Sequence, residues 1–357
     1  MPSLSVSQLN GIVETTLKNN KTGGWTDINP ALLQSYIAMS RLLKKNKMMF
    51  EGGESLEINL NTGTSGNARH AGLFSQDDVK VKDFPTKGDV PWKHTETSFA
   101  LDVREKKISR GKTQLVDHIL QRRTNSMIDL AVLMEDTFWG KPVDSTDSLT
   151  PYGIEYWISK TTGKINADHT QVNGVGFHGG NPTGFASGPG NINCEVHSGW
   201  KNFAGNYSAV SKADLIKKMR VMHLMTDFKS PIKHPNYDTS GVSDAYQIYC
   251  NWNTYLELED LLDAQNDNLG TDLSGQGGTM VFKKNQIVEV AKLNEDSSNP
   301  LYMMNWNVFD IACLEGEYMR ETTGPAPGQH NVSQTHFDLT WNTRVTNRRK
   351  LGVLTQA

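Results

Sequence analysis

Residues 112–139 read KTQLVDHILQRRTNSMIDLAVLMEDTFW and are followed at once by Gly140 and Pro142. Leu115, Ile119, Met127, Leu130, Met134 and Phe138 fall on one face of a 3.6-residue period. No Gly or Pro interrupts the run, and Gly140 with Pro142 supplies a stop. The pattern predicts one helix of about 40 Å at 1.5 Å per residue. That is long for a compact domain and suits a structural spine.

The chain before this helix has a different character. Gly52-Gly53 breaks any helix, and Leu56, Ile58 and Leu60 then alternate with polar residues, the mark of a half-buried strand. The polar run NTGTSGNARHAG (61–72) follows, then Val79, Val81 and a turn around Pro85 and Gly88. Residues 92–103, WKHTETSFALDV, predict the returning strand of a long hairpin. A hairpin with so little apolar content is marginal alone, so it must lie on its own chain or on a neighbour's. Residues 1–50 predict a mostly helical arm: Leu32, Leu33, Tyr36, Ile37, Met39, Leu42 and Leu43 recur at helical spacing after Asp27, Asn29 and Pro30. The arm carries six basic residues (Lys18, Lys21, Arg41, Lys44, Lys45, Lys47) against Glu14 and Asp27.

Beyond the helix, residues 141–209 are glycine-rich and poor in charge. GVGFHGGNPTGFASGPGN (174–191) predicts irregular chain too long for a simple connector. Ser211, with Asp214 three residues on, predicts a capped helix start, and Leu215, Met219 and Met222 continue its apolar face. A second helix is expected near Tyr255–Ala264, with strands at Thr279–Lys283, Gln286–Ala291 and Pro300–Phe309. Gly324 to Gly328 is a breaker, and Val332–Val345 alternates as a long final strand. The end of the chain is basic: Arg344, Arg348, Arg349 and Lys350, with no acid after Asp338.

Composition narrows the function. The 357 residues carry 36 Lys+Arg against 39 Asp+Glu, a formal charge of −3. A whole-chain nucleic-acid binder would be strongly basic. Eight Trp, ten Tyr and twelve Phe are too many for a disordered chain. Cys194, Cys250 and Cys313 are odd in number and form no C-x-x-C pair, so the expectation is three unreactive thiols of a reducing compartment. No apolar signal core opens the chain and no 18-residue apolar run occurs, so a soluble product made in a cytoplasm is expected, without membrane contact.

Motifs for chemistry are weak. GVGFHG (174–179) matches G-x-G-x-x-G, but no apolar strand precedes it and Gly180-Asn181-Pro182 follows, so a turn-rich loop is expected rather than a dinucleotide site. A phosphate-binding loop, H-E-x-x-H and G-x-S-x-G are all absent. Asp168, His169, His178 and His197 lie near one another in sequence, but their spacing carries little metal-site signal. Glu257, Glu259, Asp260, Glu315 and Glu317 read as solvated faces on a helix and a strand. No catalytic set, metal or cofactor is expected. The basic arm and tail suit either solvent or a polyanion. Lys106, Lys107, Arg110, Lys112, Arg122 and Arg123 cluster about the spine helix, where Arg122 and Arg123 suit solvent or acids of a neighbouring subunit.

An arm, a long hairpin, a spine helix, a mixed domain and a long closing strand form an order seen in one family. SYIAMSRLLKKNK (35–47), FEGGESLEINLNT (50–62), VPWKHTETSFALDVREKKISRG (90–111), VDHILQRRTNSMIDLAVLMEDTFWGKPVDS (116–145), PYGIEYWI (151–158) and HGGNPTGFASGPGN (178–191) carry the resemblance. Together they resemble the major capsid proteins of tailed bacteriophages, of the Hong Kong-ninety-seven type. The resemblance covers nearly the whole chain.

The resemblance implies an α+β fold: an N-terminal arm (1–50), an E-loop hairpin (51–108), a P-domain spine helix (109–149), an A-domain with the glycine-rich loop (150–299), and P-domain closing strands with a C-terminal tail (300–357). It implies a structural protein, not an enzyme, that self-assembles into hexamers and pentamers of an icosahedral shell around double-stranded DNA. The implied partners are further copies of itself, a portal protein, decoration proteins and non-specific contact with packaged DNA. Because the hairpin begins about fifty residues in, a separate scaffolding protein, or none, is expected rather than a fused one. The implied location is the virion capsid, assembled in the host cytoplasm. Some members crosslink Lys to Asn; Lys80, Lys82 and Lys87 lie in the hairpin, but nothing marks a partner and no crosslink is expected. The expected inter-subunit residues are Leu56, Ile58, Leu60 and Trp92 of the hairpin, with Arg69, Arg122 and Arg123. Two other readings are open: an encapsulin-type nanocompartment shell, and a polysaccharide-binding or hydrolysing module built on the Trp, Asn and Gly of 141–209.

Overall fold

The structure, a computed structural model, describes residues 47–61, 67, 69–73, 76, 85–102, 104, 112–160, 174–227, 246–263, 273–276, 279–329 and 331–357. The expected arm over 1–46, the hairpin positions 79–82, the basic residues Lys106, Lys107 and Arg110, and Asp168 with His169 lie outside them, as do the side chains of 112–118.

In chain order the elements are β1 (Lys47–Phe50), β2 (Ser55–Asn61), β3 (Pro85–Pro91), β4 (Lys93–Asp102), α1 (Lys112–Trp139), α2 (Ile154–Trp157), β5 (Gly176–Gly179), β6 (Asn202–Tyr207), α3 (Lys217–Thr226), β7 (Tyr246–Cys250), α4 (Trp252–Asp263), β8 (Leu273–Gln276), β9 (Thr279–Phe282), β10 (Asn285–Glu289), β11 (Leu301–Asn305), β12 (Phe309–Leu314), β13 (Arg320–Pro325), β14 (Val332–Val345) and β15 (Gly352–Gln356). The fold is α+β. The spine helix and the long strand β14 appear where the periodicities put them.

β14 organises the first sheet. Its residues 332–341 pair antiparallel with β4, and 333–338 pair at the same time with β13 on the other edge. Trp341 faces Lys93 of β4 and Cys313 of β12, so β12 must continue the edge that β13 begins. β1 adds parallel to β12. The second sheet has eight strands in the order β5-β6-β15-β11-β7-β10-β9-β8. Period-two alternation divides its side chains between two cores. Tyr249, Tyr302, Met304, Val288 and Val353 join α1 and the first sheet. Ile248, Cys250, Met303, Ile287 and Leu354 pack under α3 and α4.

Residues 300–357, expected to close the P-domain, therefore serve both sheets: β12–β14 build the first, while β11 and β15 lie in the second. β15 also means that β14 is not the last strand. Glu315 and Glu317 fall in the turn after β12, not on a strand.

α1 buries Ile119, Met127, Leu130, Met134 and Phe138 along one stripe. Arg123 falls on the same stripe. Its Nε donates to Glu321 Oε1 of β13 at 2.9 Å, and its guanidinium lies 5.8 Å from the Phe337 ring centre. A charge in an apolar stripe is tolerated because its carboxylate partner is there. At the helix end, a Cβ on Gly153 would stand 2.2 Å from the Gly140 carbonyl oxygen and 2.3 Å from that of Thr137. Only glycine lets the chain entering α2 cross the α1 terminus so closely. The capped start before α3 is present: Ser211 Oγ accepts from the Asp214 backbone N–H at 3.2 Å, opening a π turn over Lys212–Ile216 that runs on into α3.

Candidate functional site

The hairpin differs from the sequence expectation in its pairing. β2 pairs with β3, Leu56 facing Val90 and Asn61 facing Pro85, while the predicted return strand, β4, pairs with β14. The chain turns at Trp92, whose Nε1 donates to the Gly53 carbonyl at 2.9 Å and whose ring meets Phe50 edge-on at 6.1 Å. Asn342 Nδ2 donates to the Pro91 carbonyl at 2.7 Å and pins the junction to β14.

Leu56, Ile58 and Leu60 are only 3%, 3% and 8% exposed within the single chain. They join Val90, Trp157 and Ile192 in the first core. Where the sequence expected these three side chains to be buried between subunits, the single chain already buries them, with Ile58 lying beside Gly190 of the glycine-rich loop. The outer face of the hairpin is polar, with Lys87 and Glu57 paired at 3.4 Å.

That loop is irregular chain, as expected from sequence, broken by two short elements. β5 opens it and a 3-10 turn at Pro189–Asn191 lies against the hairpin. Tyr152 and Tyr156 stack with ring centres 3.9 Å apart, and Tyr156 meets Phe185 edge-on at 4.9 Å. The Gly190 N–H donates to the Tyr156 hydroxyl at 2.9 Å, and Trp200 Nε1 donates to the Pro189 carbonyl at 2.9 Å. Burial pushes the Tyr156 phenol far above its ordinary value. GVGFHG is a strand running into turns, with no helix N-terminus after Gly179 to receive a pyrophosphate.

The basic tail is not a polyanion surface. Arg348 and Lys350 are fully buried, and Arg349 lies over Phe177 at 4.2 Å. Arg348 Nε donates to the Trp157 carbonyl at 2.6 Å, Nη1 to the Trp200 carbonyl at 3.0 Å, and Nη2 to Asn202 Oδ1 at 2.7 Å. Nη1 also stands 2.8 Å from Cys194 Sγ. Burial lowers the guanidinium from its usual value, and the Cys194 sulfur acts in the opposite sense. The fork of donors ties α2, the loop and β6 to the C-terminal segment, a geometry a lysine does not offer.

The remaining expected interface charges also have partners in the chain. Arg69 donates to the Gln76 carbonyl, and Arg122 to the Ala100 carbonyl of β4. Arg123 is the α1–β13 tie described above, so its acid lies in its own subunit. All three cysteines are free and buried, and burial raises the Cys313 thiol to about 12.

Among the described residues, His94, Glu96 and Asp338 bring ligand-type atoms within 4.8 Å of one another, and His178 and His197 join no such group. The β4–β14 register sets Glu96 opposite Asp338. Arg320 Nη2 donates to Asp338 Oδ2 at 2.9 Å, and His94 Nδ1 lies 3.0 Å from Thr340 Oγ1. His94 Nε2 stands 3.7 Å from Asp338 Oδ1, so Asp338 lies between Arg320 and His94. Among the described residues no helix is long and apolar enough to cross a membrane.

The two helices on the far face of the second sheet carry exposed apolar side chains. Leu224 of α3 is 69% exposed, and Trp252 and Leu256 of α4 are 53% and 57% exposed.

Two sheets bridged by a spine helix, with a hairpin lying on a glycine-rich loop, define a capsid-protein fold of the Hong Kong-ninety-seven type. The same architecture is found in the capsid of cyanophage A-1(L), at a TM-score of 0.59 and 10% identity over 88% of this chain and 91% of that one. The capsids of the native and empty GTA particles give TM-scores of 0.51 and 0.52, at 10% and 11% identity over 90% and 89% of this chain and 91% and 90% of those. No family model and no curated protein matches the chain. At such identity the likeness is one of fold.

Proposed function

We propose that this chain is a structural shell protein whose copies assemble into the hexamers and pentamers of a closed icosahedral capsid around the double-stranded DNA of a tailed phage. The observation that carries the reading is the capsid-protein fold shared over 88% of the chain with the cyanophage A-1(L) capsid. The sequence-level resemblance to tailed-phage capsid proteins, made on separate grounds, points the same way. Assembly takes place in the host cytoplasm with a separate scaffolding protein, a portal at one vertex and decoration proteins outside. The hairpin base is anchored to its own subunit, so Arg69 and the polar outer face of the hairpin, not Leu56, Ile58 and Leu60, meet neighbours. Arg122, half-buried beside β4, serves the same contact zone.

The test is the content of purified particles. Nuclease-protected double-stranded DNA of uniform length supports the reading. Particles that enclose a protein cargo and no genome would replace it with an encapsulin-type compartment. A chain that stays monomeric beside its neighbouring genes and binds glycans would replace it with a polysaccharide-binding module.

A further inference from the structure

α3 and α4 cover one face of the second sheet and turn opposite chemistries to solvent. On α3 and the turn before it, Lys212, Lys217 and Leu224 are exposed. Lys217 and Leu224 are seven residues apart and so lie along one stripe. On α4, Trp252, Leu256, Glu257, Glu259 and Asp260 are exposed. Trp252, Leu256 and Glu259 follow the i, i+4, i+7 stripe. Among the described residues, Lys212, Lys217, Glu259 and Asp260 have no ion-pair partner, whereas Lys218, beside them, is paired with Asp214. The first turn of α4 is held in place: Asn251 Oδ1 accepts from the Thr254 N–H at 3.0 Å, and Asn294 Oδ1 from the Trp252 N–H at 2.9 Å.

We infer that α4 of one copy packs antiparallel against α3 of the next copy around a capsomer ring, an inference that rests on the shell reading above. Leu224 ends the basic stripe, and Trp252 begins the acidic one. Laid antiparallel, the apolar ends meet, and the seven-residue steps from Leu224 to Lys217 and from Trp252 to Glu259, each about 10 Å at 1.5 Å per residue, bring ammonium to carboxylate. A parallel α4–α4 pair would face acid with acid and a parallel α3–α3 pair base with base, while an antiparallel pair of like helices would leave these charges without an opposite partner. The complementarity therefore selects a head-to-tail contact, the kind that closes into rings. The apolar contact supplies the attraction, and the exposed charges set direction and register more than affinity.

The test is disulfide trapping in assembled particles of a Leu224→Cys/Trp252→Cys double variant, the two positions that the antiparallel register sets face to face. Both positions are exposed, and the native cysteines are buried and stay out of the reaction. After mild oxidation, a denaturing non-reducing gel should show a ladder reaching five or six subunits, with each single variant remaining monomeric. Monomers only, from intact particles of the double variant, would overturn the contact and leave the shell reading standing. Dimers from either single variant would show a symmetric contact and overturn it equally. If wild-type chain forms no particles under any condition, the shell reading falls and this contact with it. Should the double variant alone fail to assemble, charge reversal decides. Lys217→Glu and Glu259→Lys should each cut particle yield at least several-fold, and the two together should restore it. No restoration would overturn the pairing.

Discussion

Gly88 of β3 lies against Gly190 of the glycine-rich loop so closely that a Cβ on Gly88 would stand 2.8 Å from the Gly190 carbonyl oxygen and 2.9 Å from Ile192 Cδ1. The hairpin and the loop thus meet backbone to backbone, and one of the obstructing atoms cannot rotate away. Gly88→Ala should lower stability by about 1–3 kcal/mol, the usual cost of overpacking. Gly72, whose Cβ would meet nothing within 4 Å, is the matched control. Denaturant midpoints of the two variants test the contact.

Ile58 and Leu60 give a second test of the same anchoring. Each is buried in its own subunit, so Ile58→Asp with Leu60→Asp places two unpaired carboxylates in the core at a cost of several kcal/mol. The subunit itself should unfold or become insoluble, seen as loss of its circular dichroism transition. A soluble, native-like subunit that merely failed to assemble would return these side chains to the inter-subunit surface. Asn59→Asp, on the exposed face, should leave the midpoint unchanged.

Arg348 joins elements that are far apart in sequence. Arg348→Ala takes the donor from the Trp157 and Trp200 carbonyls, while Asn202 Oδ1 keeps the Ser159 N–H at 3.1 Å, and each buried acceptor left unmet costs about 1–3 kcal/mol. Arg348→Lys should recover only part of the loss, because an ammonium cannot address acceptors that lie in different directions. The order expected in urea midpoints is wild type, then Lys, then Ala.

Asp147 sets a dependence on acid. Its carboxylate accepts from the backbone N–H groups of Thr150 and Leu149 at 3.0 Å each. The Thr150 N–H first, then the Thr150 hydroxyl and the Leu149 N–H, hold it at about 2. An unfolded Asp titrates at about 3.9. The folded value is depressed, so this contribution is complete above about pH 4 and disappears as pH falls through about 2. The melting-temperature gap between wild type and Asp147→Ala should therefore narrow from pH 7 to pH 2, and a gap that widened in acid would contradict the assignment.

Elements with strong local periodicity were legible in the sequence. The stripe from Ile119 to Phe138 and the alternation from Val332 to Val345 carry their own structure, as does the Ser211 cap. Pairing was not legible in the same way. The 93–102 segment alternates as well as β3 does, and only the register of Thr95–Leu339 and Glu96–Asp338 with β14 decides against a hairpin with β2. The fate of Arg348 was hidden for a related reason: a basic run reads as solvated until the carbonyls that surround it, about 150 to 190 residues away, are in place. Ile58 was recognised as an apolar face seeking cover, but the glycine-rich loop carries no pattern that marks it as that cover.

The central claim is that this chain builds a closed shell. The most direct measurement is electron microscopy of the purified chain, expressed with its neighbouring genes and sized by chromatography. Closed particles of megadalton mass, built of six-fold and five-fold capsomers, are the predicted result. A chain that remains a monomer near 40 kDa under those conditions, with its fold intact by circular dichroism, would contradict the account.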